Sequence, residues 1–85
     1  MTIDADFFFD KKNKQNPIIC LTAYTAPIAS IASQHCDLLL VGDSLAMVLY
    51  GENSTRATSL SMMISHGRAV KKAAKETFVV VDMPW

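Results

Sequence analysis

DLLLVGDS, residues 37–44, decides the fold. Leu38 to Val41 form an apolar run of strand length, and unbroken apolarity, rather than alternation, is expected where helices cover both faces of a parallel sheet. The run stops abruptly at Gly42, Asp43 and Ser44. Side chains at the carboxyl ends of parallel strands line the ligand sites of α/β folds, so a carboxylate at this position is a candidate functional group.

Working outward, IICLTAY (18–24) is a shorter apolar run suited to a first buried strand, and TFVVVD (77–82) is a third. Between the first two strands, TAPIASIASQHC places small residues and isoleucines at helical spacing, with Thr25 as N-cap and Pro27 in the first turn. A second helix is predicted from Ser59, with Leu60, Met63, Ile64, Gly67, Val70 and Ala74 on its inner face and Ser61, Ser65, Arg68, Lys72 and Lys75 on its outer face. Residues 44–58 lack periodicity, and a connection of that length in a βα unit is usually functional. Upstream, ADFFFDKKN (5–13) reads as a short helix that the Pro-containing KQNP ends.

The alternation βαβαβ implies parallel strands, and three strands covered by two helices leave an open edge. The expected fold class is therefore α/β, and the 85 residues are expected to be one incomplete domain, the N-terminal part of a (β/α)8 TIM barrel of about 250 residues preceded by the short helix.

Composition narrows the function classes. The chain is 51% hydrophobic and 19% charged, in the range of ordinary globular proteins. Eight basic and eight acidic residues cancel, which provides no field for nucleic acid or an anionic membrane. Arg68, Lys71, Lys72 and Lys75 recur at helical spacing and read as a solvated face. Cys20 and Cys36 sit beside apolar residues without the spacing of a zinc or redox motif, so they are expected to be buried free thiols in a reducing compartment. MTIDADFFFDKK has acids before a short aromatic run and no basic leader, and no apolar stretch reaches transmembrane length; the expected location is the cytoplasm.

Asp43 and Asp82 each stand at the end of an apolar strand. On neighbouring strands roughly 5 Å apart, the two carboxylates can converge on one cation, and an oxygen-only site without His or Cys suits Mg2+ better than zinc. From spacing alone they read first as helix caps or loop-facing acids, since Asp is common just after a strand. Ser44 reads first as a turn residue, since no base is placed beside it for nucleophilic activation. His35 and His66 read as structural or surface histidines, and the five methionines as core filler. The hydroxyls of Thr22 and Tyr24 either touch a ligand or bond to neighbouring backbone, and Gly51 marks a turn.

Taken in order and with these gaps, LTAYTAP, DLLLVGDSLAMVLYG, NST, MMISHGRAV and VVVDMPW resemble the N-terminal part of the ketopantoate hydroxymethyltransferase family, from about Ile18 onward. The resemblance implies a (β/α)8 barrel that uses Mg2+ and assembles as a homodecamer. It implies transfer of a one-carbon unit from the co-substrate 5,10-methylenetetrahydrofolate to the α-keto acid 3-methyl-2-oxobutanoate, a step in pantothenate and coenzyme A biosynthesis. By motif match, Asp43 and Asp82 are implied metal-site acids, and Asp43, Ser44 and Asp82 are implied to line the α-keto acid pocket. No catalytic base is implied within residues 1–85: the family's substrate-contacting lysine and two glutamates belong to segments past Trp85, so the chain alone is expected to be inactive.

The match departs from the family pattern at Thr25, where Asp is common, at Ala46, where Gly is common, and over RATSLSMM, which leaves folate contacts by this loop undefined. Two rival functions follow from the same residues. One is a Mg2+-dependent α-oxo acid enzyme of the phosphoenolpyruvate mutase and isocitrate lyase type. The other is a non-catalytic truncated protein that pairs through its open sheet edge.

Overall fold

The computed structural model describes residues 4–85. Residues 1–3, which belong to the stretch read above as lacking a secretory leader, lie outside the described residues. In chain order the elements are α1 (Ala5–Asn13), β1 (Cys20–Thr22), α2 (Ala26–Ala32), β2 (Leu38–Val41), α3 (Leu45–Val48), a 3-10 turn (Thr55–Ala57), α4 (Leu60–Ala73) and β3 (Phe78–Val81). This is an α/β arrangement around one three-stranded parallel sheet in the order β1-β2-β3. No helix of the described residues is long and apolar enough to cross a membrane.

Local chemistry sets the helix boundaries. Asp4 caps α1 by accepting the Phe7 N–H, and the Ser59 hydroxyl caps α4 by accepting the Met62 N–H at 3.2 Å. Thr25 occupies the extended N-cap position of α2 without a side-chain cap bond, and Pro27 lies in the first turn, where its missing N–H costs nothing.

Strand register determines which residues face the helices. Cys20, Leu38 and Phe78 share one row, Leu21, Leu39 and Val79 the next, Thr22, Leu40 and Val80 the third, and Val41 pairs with Val81. Because successive strand residues point to opposite faces, Leu39, Val41, Val79 and Val81 share a face. That face meets α2 and α4 in a core containing Ala23, Ala29, Leu39, Val41, Leu45, Met63, Val70 and Ala74. Leu39, Val41, Leu45, Met63 and Val70 are fully buried, each contributing about 1.5–3 kcal/mol of transfer free energy. Gly67 permits the close approach of α4 to β3, since a Cβ there would lie 2.9 Å from Val81 Cγ2.

The opposite face departs from expectation. The apolar runs predict cover on both sides, yet α2 and α4 lie on one side only, and on the other α1 brings Phe8 edge-to-face against Phe78 at 5.1 Å. Val80 is left 38% exposed. Cys20, on this same open face, is exposed rather than buried, and only Cys36 is partly enclosed. Burial, followed by the adjacent Asp37 carboxylate and Cys20, pushes the Cys36 thiol up, away from the thiolate.

Two further differences have similar causes. The apolar stripe of α4 is narrower than the periodicity implies: Met63, Gly67 and Val70 are buried, while Leu60 and Ile64 lie on an exposed flank. The aperiodic 44–58 connection contains α3, whose Leu45 and Ala46 are buried, and the 3-10 turn, capped by Ser54 accepting the Arg56 N–H. Gly51 supplies the turn between them with φ +71°, in the left-handed region that glycine adopts without steric cost.

The amino ends of the strands are tied by a residue the sequence did not single out. The Asp37 carboxylate accepts the Ile19 N–H at 2.9 Å and pairs with Lys11 Nζ at 3.1 Å, joining α1, the lead into β1 and the start of β2. The Ile19 N–H, assisted by Lys11, holds the Asp37 carboxyl below the usual carboxylate range, despite partial burial acting in the opposite direction.

Candidate functional site

Asp43 and Asp82 both emerge at the carboxyl end of the sheet, just past β2 and β3, which are hydrogen-bonded neighbours. The Asp82 N–H continues the ladder to the Val41 carbonyl at 3.0 Å, which carries the Asp82 side chain over the end of β2. There one carboxylate oxygen, Oδ2, accepts the Asp43 N–H at 3.0 Å. This bond fixes Asp82 against the turn that bears Asp43, and its other oxygen is not used by it.

Gly42 lies against this contact. A Cβ at this position would sit 3.2 Å from Ser44 Oγ and 3.5 Å from Asp82 Oδ2, tight enough against the hydroxyl to require it to shift. Both acids and Ser44 are half-buried. Among the described residues neither acid forms an ion pair, and no cluster of three or more His, Cys, Asp or Glu side chains is assembled.

Ser44 is not simply a turn residue. Its Oγ lies 2.8 Å from the Tyr24 hydroxyl, across from β1. The Tyr24 carbonyl contacts His66 Nδ1 at 2.6 Å, and His66 Nε2 contacts the Tyr50 hydroxyl at 2.7 Å, with the two rings edge-to-face at 5.8 Å. A carbonyl only accepts, so Nδ1 carries the proton. In the neutral ring Nε2 then accepts from Tyr50. His66 thus links α4 to the end of β1, and its structural role agrees with the sequence reading. Thr22, the other hydroxyl at this strand, is exposed.

The structure therefore brings together Asp43, Ser44 and Asp82, joins to them Tyr24, whose hydroxyl meets the Ser44 side chain and not neighbouring backbone, and adds Gly42, His66 and Tyr50. Of these, Gly42 had a local signal, a glycine directly before an acid at a strand end. The Tyr24–Ser44 and Tyr50–His66 pairs lie 20 and 16 residues apart and had none. Next to this end of the sheet, the Arg56 guanidinium stacks over the Trp85 ring at 5.1 Å, tying the 3-10 turn to the segment after β3. A hollow of about 540 Å³ lies elsewhere, between α1 and the following linker. It is lined by Phe8, Phe9, Pro17 and Ile18 among others and contains neither acid, so the chemistry does not converge there.

Among the described residues, Asp43 and Asp82 are the side chains at this end of the sheet that could hold a divalent cation. Mg2+ is commonly held by one or two carboxylates with the remaining positions filled by water and substrate oxygens. Asp43 and Asp82 follow adjacent strands, one has a carboxylate oxygen not engaged by the Asp43 N–H, and neither is neutralised by a lysine or arginine, so these two would be the carboxylates available to such an ion.

Fold and site together define an α/β protein with an acid pair and an oriented serine at the carboxyl end of a parallel sheet. Comparison with known proteins narrows the class. The family model of ketopantoate hydroxymethyltransferase matches residues 2–85, and the chain belongs to that family. It is 59% identical over 69 residues to the 3-methyl-2-oxobutanoate hydroxymethyltransferase of Rhizobium etli, 56% identical to that of Phenylobacterium zucineum and 59% identical to that of Brucella canis. Each alignment covers 81% of this chain and 25% of the relative, so the chain spans about a quarter of the length of these proteins.

Proposed function

We propose that these 85 residues supply the first three strands of a (β/α)8 barrel and one part of the active site of a 3-methyl-2-oxobutanoate hydroxymethyltransferase. The observation that carries this reading is the meeting of Asp43 and Asp82 at the carboxyl end of β2 and β3 through the Asp43 N–H to Asp82 Oδ2 bond. The open second face supports the barrel: in a closed barrel the row of Leu38, Leu40, Phe78 and Val80 points inward and is packed by the other strands.

Asp43 and Asp82 would hold Mg2+, directly or through water. The ion would supply Lewis-acid polarisation of the oxo acid's oxygens. Ser44 would donate its hydroxyl proton to an anionic oxygen of the substrate, a charge-assisted bond that fixes its orientation. The reaction breaks the C3–H bond of 3-methyl-2-oxobutanoate, forms a carbon–carbon bond to the methylene carbon of 5,10-methylenetetrahydrofolate and, with water supplying the hydroxyl, gives 2-dehydropantoate and tetrahydrofolate. None of Asp43, Ser44 and Asp82 is assigned as the base. A cytoplasmic homodecamer belongs to the same proposal.

The test is turnover by the complete gene product. With Mg2+ and both substrates it should form 2-dehydropantoate, and a folded protein that does not would contradict the proposal. The 85 residues by themselves should form none, because their sheet has two open edges and one largely uncovered face.

A further inference from the structure

Ser44 is useful to an anionic substrate only if its proton points outward, and a serine hydroxyl rotates freely unless something fixes it. The Tyr24 hydroxyl, 2.8 Å from Ser44 Oγ, can do so. The phenol is the more acidic of the two groups. If it donates to Oγ, the serine proton is left to donate elsewhere, and each bond in such a chain strengthens the next. The reverse polarity would turn the serine proton inward and present lone pairs to the substrate's negative charge.

The backbone of Tyr24 lies just past β1, where the ladder ends with the Ala23 N–H to Leu40 carbonyl bond, and its carbonyl is taken up by His66 Nδ1 at 2.6 Å. Tyr50 completes the support by bonding His66 Nε2 at 2.7 Å, which holds the ring in the tautomer that can donate to Tyr24. We propose that Tyr24 is a positioning residue that polarises the Ser44 hydroxyl toward an anionic oxygen of the substrate, and that His66, oriented by Tyr50, holds Tyr24 in place. Naming that oxygen as the 2-oxo acid carboxylate rests on the transferase reading above; the relay itself does not.

Kinetics of the complete gene product test the relay. Tyr24→Phe should raise KM for 3-methyl-2-oxobutanoate about tenfold while kcat changes less than about threefold, as expected for one lost hydrogen bond to a binding group. In a Ser44→Ala background the same substitution should have no further effect, because the hydroxyl it acts on is gone. Additive effects in this cycle would overturn the proposal, whatever either single variant does to folding. His66→Leu should raise KM similarly, and His66→Asn, which keeps a donor near the Nδ1 position, should recover most of the loss.

A second readout does not depend on turnover. Nitrogen NMR of the His66 ring in the wild-type protein should show the Nδ1–H tautomer, and an Nε2–H ring would overturn the proposal. A protein with the Nδ1–H tautomer and no turnover would contradict the transferase reading alone.

Discussion

The two ends of the sheet use the same bond for different purposes. At the amino end, Asp37 accepts the Ile19 N–H at 2.9 Å; at the carboxyl end, Asp82 accepts the Asp43 N–H at 3.0 Å. Asp37 is also paired with Lys11, so its charge is cancelled within the fold and its work is mechanical, holding α1 to the sheet. Asp82 and Asp43 have no such cation among the described residues, and on the proposed function a bound divalent ion would supply one. The identity of the residue is thus a poorer guide to function than what neutralises it.

This contrast can be broken most severely at the carboxyl end. Asp43→Asn and Asp82→Asn preserve size and remove charge. In the complete gene product each should lower kcat/KM on the order of 100-fold or more, the scale on which metal-site substitutions act, with little change in melting temperature. At the amino end the pattern should invert. Asp37→Asn removes a charge-assisted bond and an ion pair, and should cost about 1–3 kcal/mol in denaturant unfolding while leaving kcat/KM within about threefold.

The Asp37 effect carries a pH signature. Its folded carboxyl is held below the ordinary range, so the unfolded chain takes up the proton more readily. The stabilisation is complete above about pH 4, the unfolded value, and is lost as pH falls through the lower folded value. The stability gap between wild type and Asp37→Asn should therefore narrow in unfolding experiments as pH drops below about 4, and a gap that widened would contradict the assignment.

A smaller effect is expected at Gly67, between the two ends. Gly67→Ala gains about 1 kcal/mol of helix propensity, but its Cβ collides with Val81, and overpacking costs about 1–3 kcal/mol. The net destabilisation should disappear in the Gly67→Ala, Val81→Ala double variant, where the steric conflict is removed; persistence there would show that the conflict lies elsewhere.

Much of this organisation was legible in the sequence, for reasons that differ between elements. β2 and β3 stood out because Leu38 to Val41 and Phe78 to Val81 are unbroken apolar runs, and Asp43 and Asp82 stood out as the polar groups that end them. The same runs overstated the cover: they record that both faces of the strands are apolar, but α2 and α4 occupy one face only. The Ser59 cap and the Met63, Gly67 and Val70 stripe of α4 were readable from local spacing, whereas the exposure of Leu60 and Ile64 depends on where α2 packs. Asp37 lay inside the most informative stretch and went unremarked, since its partners Lys11 and Ile19 are 26 and 18 residues away. Tyr24, His66 and Tyr50 come together only through the packing of α4 and the α3 turn beside β1, and no periodicity encodes that.

On the proposed function the carboxyl-end acids, and not the amino-end acid, bind a divalent cation. Calorimetric titration of Mg2+ into the complete gene product, compared across wild type, Asp43→Asn, Asp82→Asn and Asp37→Asn, tests it most directly. One site is expected in wild type and in Asp37→Asn, with a loss of affinity of at least about tenfold in both carboxyl-end variants. Equal affinity in all four proteins would contradict it.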